Sequence, residues 1–239
     1  MAGRAPTTAA RITSISRHRS GVSRIHVAID TPFAHCAGQY LNVVHASGTN
    51  IPLSIASAPQ RLPELELHYK STPGVAEARL MDEMLATADA LQIDGPHGEV
   101  TVVGPLDTPL SLIAAGTGIA QACAIIEHLR EVAQRAPVSL VWSVSNAQQL
   151  YCEQQFLTPP GWLRYHPVID RPGQFNAAVQ WLAGCASAPP GRTIISGSPG
   201  FVYAVADQLQ RMGVAAQTIE SDVFSYAPRP GAAGSAPHS

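Results

Sequence analysis

Two glycine-centred stretches carry the residue types whose spacing can do chemistry. The first is Leu110 to Cys123, L-S-L-I-A-A-G-T-G-I-A-Q-A-C. Its apolar run, Leu110 to Ala114, is long enough for a strand buried on both faces. The run breaks at Gly116-Thr117-Gly118 and resumes with helical spacing at Ile119, Cys123, Ile126 and Leu129. Glycines at such a turn let the backbone bend sharply and a ligand come close. The free N–H groups and positive dipole end of the following helix suit a phosphate or pyrophosphate. The second stretch, Gly197-Ser198-Pro199-Gly200, follows another strand-like run. Two such turns on one sheet rim would hold a nucleotide better than either alone. The alternative is that both glycine pairs only shape turns.

Other chemistries find no pattern. Gln121 stands where a G-x-G-x-x-G fingerprint has its third glycine, and no Gly-Lys-Ser/Thr follows. The nine histidines are scattered without H-x-H or H-E-x-x-H, so no metal site is expected. Ser196 takes the first-glycine place of a G-x-S-x-G around Ser198. Cys36, Cys123, Cys152 and Cys185 form no C-x-x-C pair, which points to a reducing compartment. His97 falls in a barrel loop, and Glu220 and Asp222 read as capping or solvating a sheet edge. A formal charge of −2 gives no long-range pull towards nucleic acid or membranes. Arg11, Arg17, Arg19 and Arg24 are interleaved with apolar residues and read as the outer face of strands. The N-terminus has no apolar signal core, and Leu110 to Ile126 holds too many polar and glycine residues for a membrane span. A soluble, cytoplasmic protein is expected.

The elements that must position these turns fall into two halves. Residues 1–10 read as a disordered leader. Residues 11–104 show short strands broken by Gly and Pro: Arg24 to Asp30, Gln39 to Val44, Ile51 to Ile55, Leu65 to Tyr69, Leu91 to Ile93 and Val100 to Val103. Their spacing predicts a small antiparallel β-barrel. One helix interrupts them, with Thr72 as N-cap, Pro73 at its first position and a stripe of Leu80, Met81, Met84 and Leu85. After a linker at Gly104 to Asp107, residues 105–226 alternate strands and helices. Strands are expected at Leu110, Val138 to Val144, Leu163 to Ile169, Thr193 to Ser196 and Val214 to Glu220. Helices are expected to about Arg135, from Ala147 to Leu157, from Phe175 to Ala183, and from Ser198 to a stop at Gly213. This order predicts an α/β doubly wound parallel sheet, whose ligands bind at the switch point beyond the strand ends. Residues 227–239, rich in Pro, Gly, Ala and Ser, read as a disordered tail.

Six segments in this order resemble the ferredoxin–NADP reductase superfamily. They are A-G-Q-Y-L (Ala37 to Leu41), I-P-L-S-I-A-S-A-P (Ile51 to Pro59), D-G-P-H-G-E (Asp94 to Glu99), L-I-A-A-G-T-G-I-A (Leu112 to Ala120), I-S-G-S-P-G-F-V (Ile195 to Val202) and S-D-V-F-S-Y (Ser221 to Tyr226). Within the superfamily the chain is most similar to bacterial NAD(P)H–flavin reductases that lack an iron–sulfur domain. The resemblance implies a flavin-binding barrel and an NAD(P)-binding α/β domain, with FAD or FMN and NADH or NADPH as the redox groups. It implies that Pro52, Leu53 and Ser54 hold the flavin, with Ser54 at the flavin nitrogen that receives hydride. Phe224 and Tyr226 would approach the flavin from the C-terminal segment. Gly116, Thr117 and Gly118 would face the nicotinamide dinucleotide, and Gly197, Ser198 and Pro199 would lie beside its ring. Two positions depart from the family: Ile51 replaces an arginine and Leu53 an aromatic. The resemblance therefore implies a flavin held loosely, as a substrate. Ser143 to Gln149 offers no cation for a 2′-phosphate and no acid to reject one, which leans towards NADH. Two further readings stay open. One is an electron-transfer component that keeps FAD and serves a redox partner such as an oxygenase. The other is a regulatory nucleotide-binding subunit without turnover.

Overall fold

The computed structural model describes residues 7–171 and 176–229. Its first half is a six-stranded antiparallel sheet of β1 (Thr8–Arg17), β2 (Val22–Ile29), β3 (Tyr40–Val44), β4 (Asn50–Ser54), β5 (Glu64–Lys70) and β6 (Ala90–His97), in the order β4-β3-β6-β1-β2-β5. The two edge strands meet where Ile55 bridges Leu67, which closes the sheet into a barrel. Alternation places Ile25, Val27, Leu65, Leu67, Leu41, Val43, Leu91 and Ile93 inside as one buried cluster. Helix α1 (Ala76–Thr87) lays Met81 and Leu85 against that cluster. The Tyr69 hydroxyl donates to the Ala78 carbonyl at 2.8 Å and so ties the helix to β5.

The second half is a five-stranded parallel sheet. It contains β7 (Leu110–Ala115), β8 (Val138–Val144), β9 (Leu163–Ile169), β10 (Arg192–Ser196) and β11 (Ile219–Glu220), in the order β11-β10-β7-β8-β9. Helix α2 (Ile119–Glu131) covers one face. Helices α3 (Ala177–Ala183) and α4 (Pro199–Arg211) cover the other, over Ile113, Val141 and Ile195. A one-turn helix, α5 (Val223–Tyr226), follows β11. From β7 the chain winds out to β8 and β9, then crosses back to β10 on the other side of β7. The switch point therefore lies between β7 and β10, beneath the two glycine turns.

Several local expectations are corrected. β1 begins at Thr8, inside the expected leader, and Ala10 is fully buried; residues 1–6 lie outside the described residues. Helix α1 starts at Ala76 rather than Pro73, because Gly74 at φ +82° turns the chain out of the helical region. Val100 to Val103 forms no strand; only Val102 bridges, to Ala37, and Val103 is exposed. Helix α2 ends at Glu131 as Val132 turns extended. The expected helix from Ala147 to Leu157 is instead two short 3₁₀ turns, Ala147–Gln149 and Glu153–Phe156. Leu150, at ψ 52°, breaks the run, and consecutive Tyr151 and Cys152 are both buried beyond it. Phe175 lies outside the described residues. The last strand shortens to Ile219–Glu220, since Val214 closes the end of α4 by donating its N–H to the Leu209 carbonyl. The tail expected to be disordered is instead fastened at its start: the Tyr203 hydroxyl donates to the Ala227 carbonyl at 2.8 Å, and Arg229 covers the Tyr203 ring. Residues 230–239 lie outside the described residues. Among the described residues no helix is long and apolar enough to cross a membrane.

The two halves meet over the outer face of β2 and β5, where charge is buried in pairs. Arg24 Nε donates to Glu66 Oε1 at 2.6 Å, and His68 Nε2 lies 2.7 Å from the same oxygen. Burial pushes the Glu66 carboxyl up, but the hydrogen bonds from His68 and Arg24 outweigh it and hold it at about 2. Its ordinary value is 4.5, so its contribution to stability is complete above pH 4.5 and is lost as pH falls through 2. At about 1.4 kcal/mol per pH unit, that loss approaches about 3 kcal/mol. Urea unfolding of the wild type should weaken by this amount between those pH values. Glu66→Gln should be destabilised near neutrality and flatter across the same window; a parallel pH profile in the variant would show that Glu66 is not the titrating group.

Candidate functional site

The sheet and the barrel enclose a cleft of about 220 Å³ between them. The barrel supplies Tyr40, Pro52, Leu53, Ser54 and His68. The parallel sheet supplies Ala115, Thr117 and Gly118 from the first turn and Ile195 to Ser198 from the second. The C-terminal segment adds Ser221, Asp222, Val223 and Tyr226. Eight expected residues therefore line one space: Pro52, Leu53, Ser54, Thr117, Gly118, Gly197, Ser198 and Tyr226.

The two turns are packed into one rim. A Cβ on Gly118 would stand 2.6 Å from the Ser196 carbonyl oxygen and 2.9 Å from the Gly197 nitrogen. Gly118 is thus required by the neighbouring turn, not only by a ligand. Ser196 Oγ donates back to the Gly118 carbonyl at 2.9 Å. Gly197 sits at φ +150° with Ala115 and Phe201 close behind it. Ser198 accepts from Phe201 N at 3.5 Å, and Pro199 opens α4, as the N-cap pattern expects. No side chain caps α2; the 3₁₀ turn Gly116–Gly118 runs directly into it, and the Ile119 N–H donates to the Thr117 carbonyl.

Three expected residues stand elsewhere. Pro199 lies outside the cleft on the exposed first turn of α4. Phe224 turns away and packs its ring 5.5 Å from Tyr203. Residues two apart in a helical turn point to opposite sides, so α5 can present Tyr226 to the cleft only by sending Phe224 to α4. Gly116 lies in an adjoining space of about 380 Å³, lined by Ser143, Ser145, Gln149, Asp170, Asn176 and Gly200 among others. Asp170 supplies an acid there, contrary to the reading of Ser143 to Gln149 alone. It comes from the end of the next strand, and its Oδ1 also accepts from Ala177 N at 2.8 Å.

Sequence reasoning missed Tyr40, His68, Gln121 and Asp222. Asp222 does not solvate an edge. Its Oδ2 accepts from Gln121 Nε2 at 3.2 Å, and the same amide donates to the Gly38 carbonyl at 2.7 Å. Gln121 thereby fastens the barrel and the C-terminal segment to α2. Burial pushes the Asp222 carboxyl up, and the hydrogen bonds from Val100, Gln121 and Glu99 only partly offset this. Tyr40, beside it, is pushed up by burial and by the Asp222 charge. His97 lies outside the cleft, against Tyr40 and 3.1 Å from Asp94. Ile51, at the family's arginine position, is buried in the barrel core. Among the described residues the cleft lining carries no Lys or Arg.

No family model matches the chain. The chain is 33% identical to the NAD(P)H-flavin reductase of Vibrio harveyi over 156 residues, 63% of this chain and 66% of that protein. It is 29% identical to a probable flavin reductase of Photobacterium leiognathi, covering 67% of this chain and 70% of that protein. It is 30% identical to the phenol hydroxylase P5 protein of Acinetobacter pittii (strain PHEA-2) over 79% of this chain and 50% of that protein. The matches thus span about two thirds of the flavin reductases' own length. The Amycolatopsis cytochrome P450 reductase GcoB superposes with a TM-score of 0.78 at 25% identity, over 90% of this chain and 69% of that one. A ferredoxin NADP+ reductase from Neisseria gonorrhoeae with bound FAD and NADP gives 0.72 at 20% identity, over 91% and 98%. A barrel joined to a parallel sheet, with its cleft at the switch point, is the architecture of the ferredoxin–NADP reductase superfamily, and this chain belongs to it. Within the superfamily it is a flavin reductase-like member.

The rim packing predicts that Gly118→Ala destabilises the protein by about 1–3 kcal/mol, because backbone rather than a flexible side chain must move. Urea unfolding without any ligand reads this directly; an unchanged midpoint would mean that the two turns are not in contact.

Proposed function

We propose that this protein is an NAD(P)H:flavin oxidoreductase, with NADH as the favoured donor and flavin as a loosely held substrate. The observation that carries the reading is the cleft itself, which sets Ser54 of the barrel opposite both glycine turns of the sheet. When bound, nicotinamide and flavin supply the redox chemistry: a hydride leaves the nicotinamide ring and arrives on the flavin ring. The chain's own task is to bind and orient the two rings and to keep water out.

The barrel half, from Thr8 onwards, seats the flavin ring over Pro52, Leu53 and Ser54, with Tyr226 at the rim. The Ser54 hydroxyl donates to the ring edge that receives hydride. The α/β half takes the dinucleotide, with the Gly116–Gly118 turn that leads into α2 facing its phosphates and Gly197 and Ser198 beside the nicotinamide. Asp170, and the lack of Lys or Arg among the described residues of the adjoining space, support NADH over a 2′-phosphorylated donor. A cleft with no Lys or Arg among its described residues supports a flavin recognised through its ring, with no fixed grip on its phosphate. A second reading is favoured by the likeness to the phenol hydroxylase P5 protein over 79% of this chain. In that reading the chain retains flavin and passes electrons to a protein partner.

Oxidation of NADH should be negligible without flavin. It should start on addition of FMN, FAD or riboflavin, with KM values that differ little among the three. A purified protein that is yellow and turns over without added flavin would select the second reading. Ser54→Ala should lower kcat by about tenfold, the worth of one good hydrogen bond, while the KM for NADH stays nearly unchanged. An unaltered kcat would remove Ser54 from the reaction.

A further inference from the structure

A line of buried rings joins the first glycine turn to the barrel side of the cleft. Gly116, at φ +52°, has its carbonyl oxygen held by Trp142 Nε1 at 3.0 Å. Trp142 is wholly buried and meets Tyr151 edge to face, with centroids 5.5 Å apart and planes at 87°. Tyr151 meets His68 in the same way, at 5.2 Å and 78°. The Tyr151 hydroxyl also lies 2.7 Å from His68 Nδ1. His68 then lines the cleft beside Ser54.

Hydrogen-bond logic fixes the direction of this line. The Glu66 carboxyl is held ionised and can only accept, so His68 Nε2 must carry the proton that Glu66 receives. His68 Nδ1 is left as an acceptor, and the Tyr151 hydroxyl donates to it. Both ring nitrogens are committed, which leaves His68 a single orientation at the cleft wall. At the other end, the C=O of the Gly116–Thr117 peptide points at the buried indole. In a trans peptide its N–H points the opposite way, out of the core. Trp142 thus aims the Thr117 N–H, and Tyr151 aims the His68 ring. Orthogonal packed rings cannot turn independently, because each edge lies against the next face.

We propose that Tyr151, His68 and Trp142 are positioning residues that couple the two halves of the cleft. A nicotinamide dinucleotide that orders the Gly116–Gly118 turn orders His68 through them, and so tightens the seat for the flavin ring. This inference rests on the flavin–nicotinamide reading above. The ordering is reciprocal: flavin tightens the dinucleotide by the same factor.

The test is the affinity for FMN, read by its fluorescence, with and without saturating NAD+. The wild type should bind FMN about fivefold more tightly in the presence of NAD+. Tyr151→Phe keeps the ring but loses the hydroxyl. It should bind each ligand alone and show a coupling factor within about twofold of unity. Trp142→Phe, which loses the donor to Gly116, should do the same. His18→Ala, which removes a ring 6.2 Å from Tyr151 but outside the line, should couple as the wild type does. The proposal fails if both ligands bind the wild type independently, or if Tyr151→Phe keeps the full factor. If the wild type binds neither ligand, the functional reading itself falls and takes the coupling with it.

Discussion

The backbone of the first glycine turn lies against the backbone of the second so closely that Gly118 has no room for a methyl group. The rest of the site depends on this approach. Parallel strands β7 and β10 are neighbours in the sheet but far apart in the chain, and their following turns meet this closely only because Gly118 carries no side chain at the contact. The meeting makes one rim out of two loops. Gln121, one helical turn further on, then reaches from α2 to the barrel at Gly38 and to the C-terminal segment at Asp222. A single amide therefore registers three pieces of the molecule, and the position of the cleft follows from that registration.

Charge is distributed to match. The cations nearest the domain seam are spent on carboxylates outside the cleft, as in Arg24 with Glu66 and Arg192 with Glu220. The cleft keeps hydroxyls, aromatic rings, backbone and one partly buried acid. Such a lining suits flat, polar-edged rings better than phosphate groups. Ile51 follows from the same arrangement. The position is turned into the barrel core, and an aliphatic residue there adds to packing what it takes from anion recognition.

Much of this was legible in the sequence. The barrel and the parallel sheet followed from the change of period near residue 105 and from the paired glycine turns. Pro52, Leu53, Ser54, Thr117, Gly118, Gly197 and Ser198 were named from motif order, and they line one cleft. What stayed hidden depends on contacts far apart in the chain. His68 looks like one more strand residue until β5 is seen to turn its outer face towards Tyr151. Asp170 belongs to a strand end that only the sheet order brings beside Gly116. Tyr226 and Phe224 were read together, but about half a helical turn separates them, so they face opposite sides. Residues Ala147 to Leu157 carry helical spacing, yet the chain breaks at Leu150 and buries Tyr151 and Cys152 side by side. In each case tertiary packing overrode a local pattern.

Ser54 stands immediately before Ile55, the residue whose bridge to Leu67 seals the barrel. The seam of the cylinder and one wall of the cleft are therefore the same place. Closing a sheet on itself brings distant strands together late and at an entropic cost. An occupant resting on Ser54 braces that seam, so by mass action its chemical potential feeds into the cohesion of the whole N-terminal half. A ligand bound there would shift the opening equilibrium of the seam towards the closed barrel.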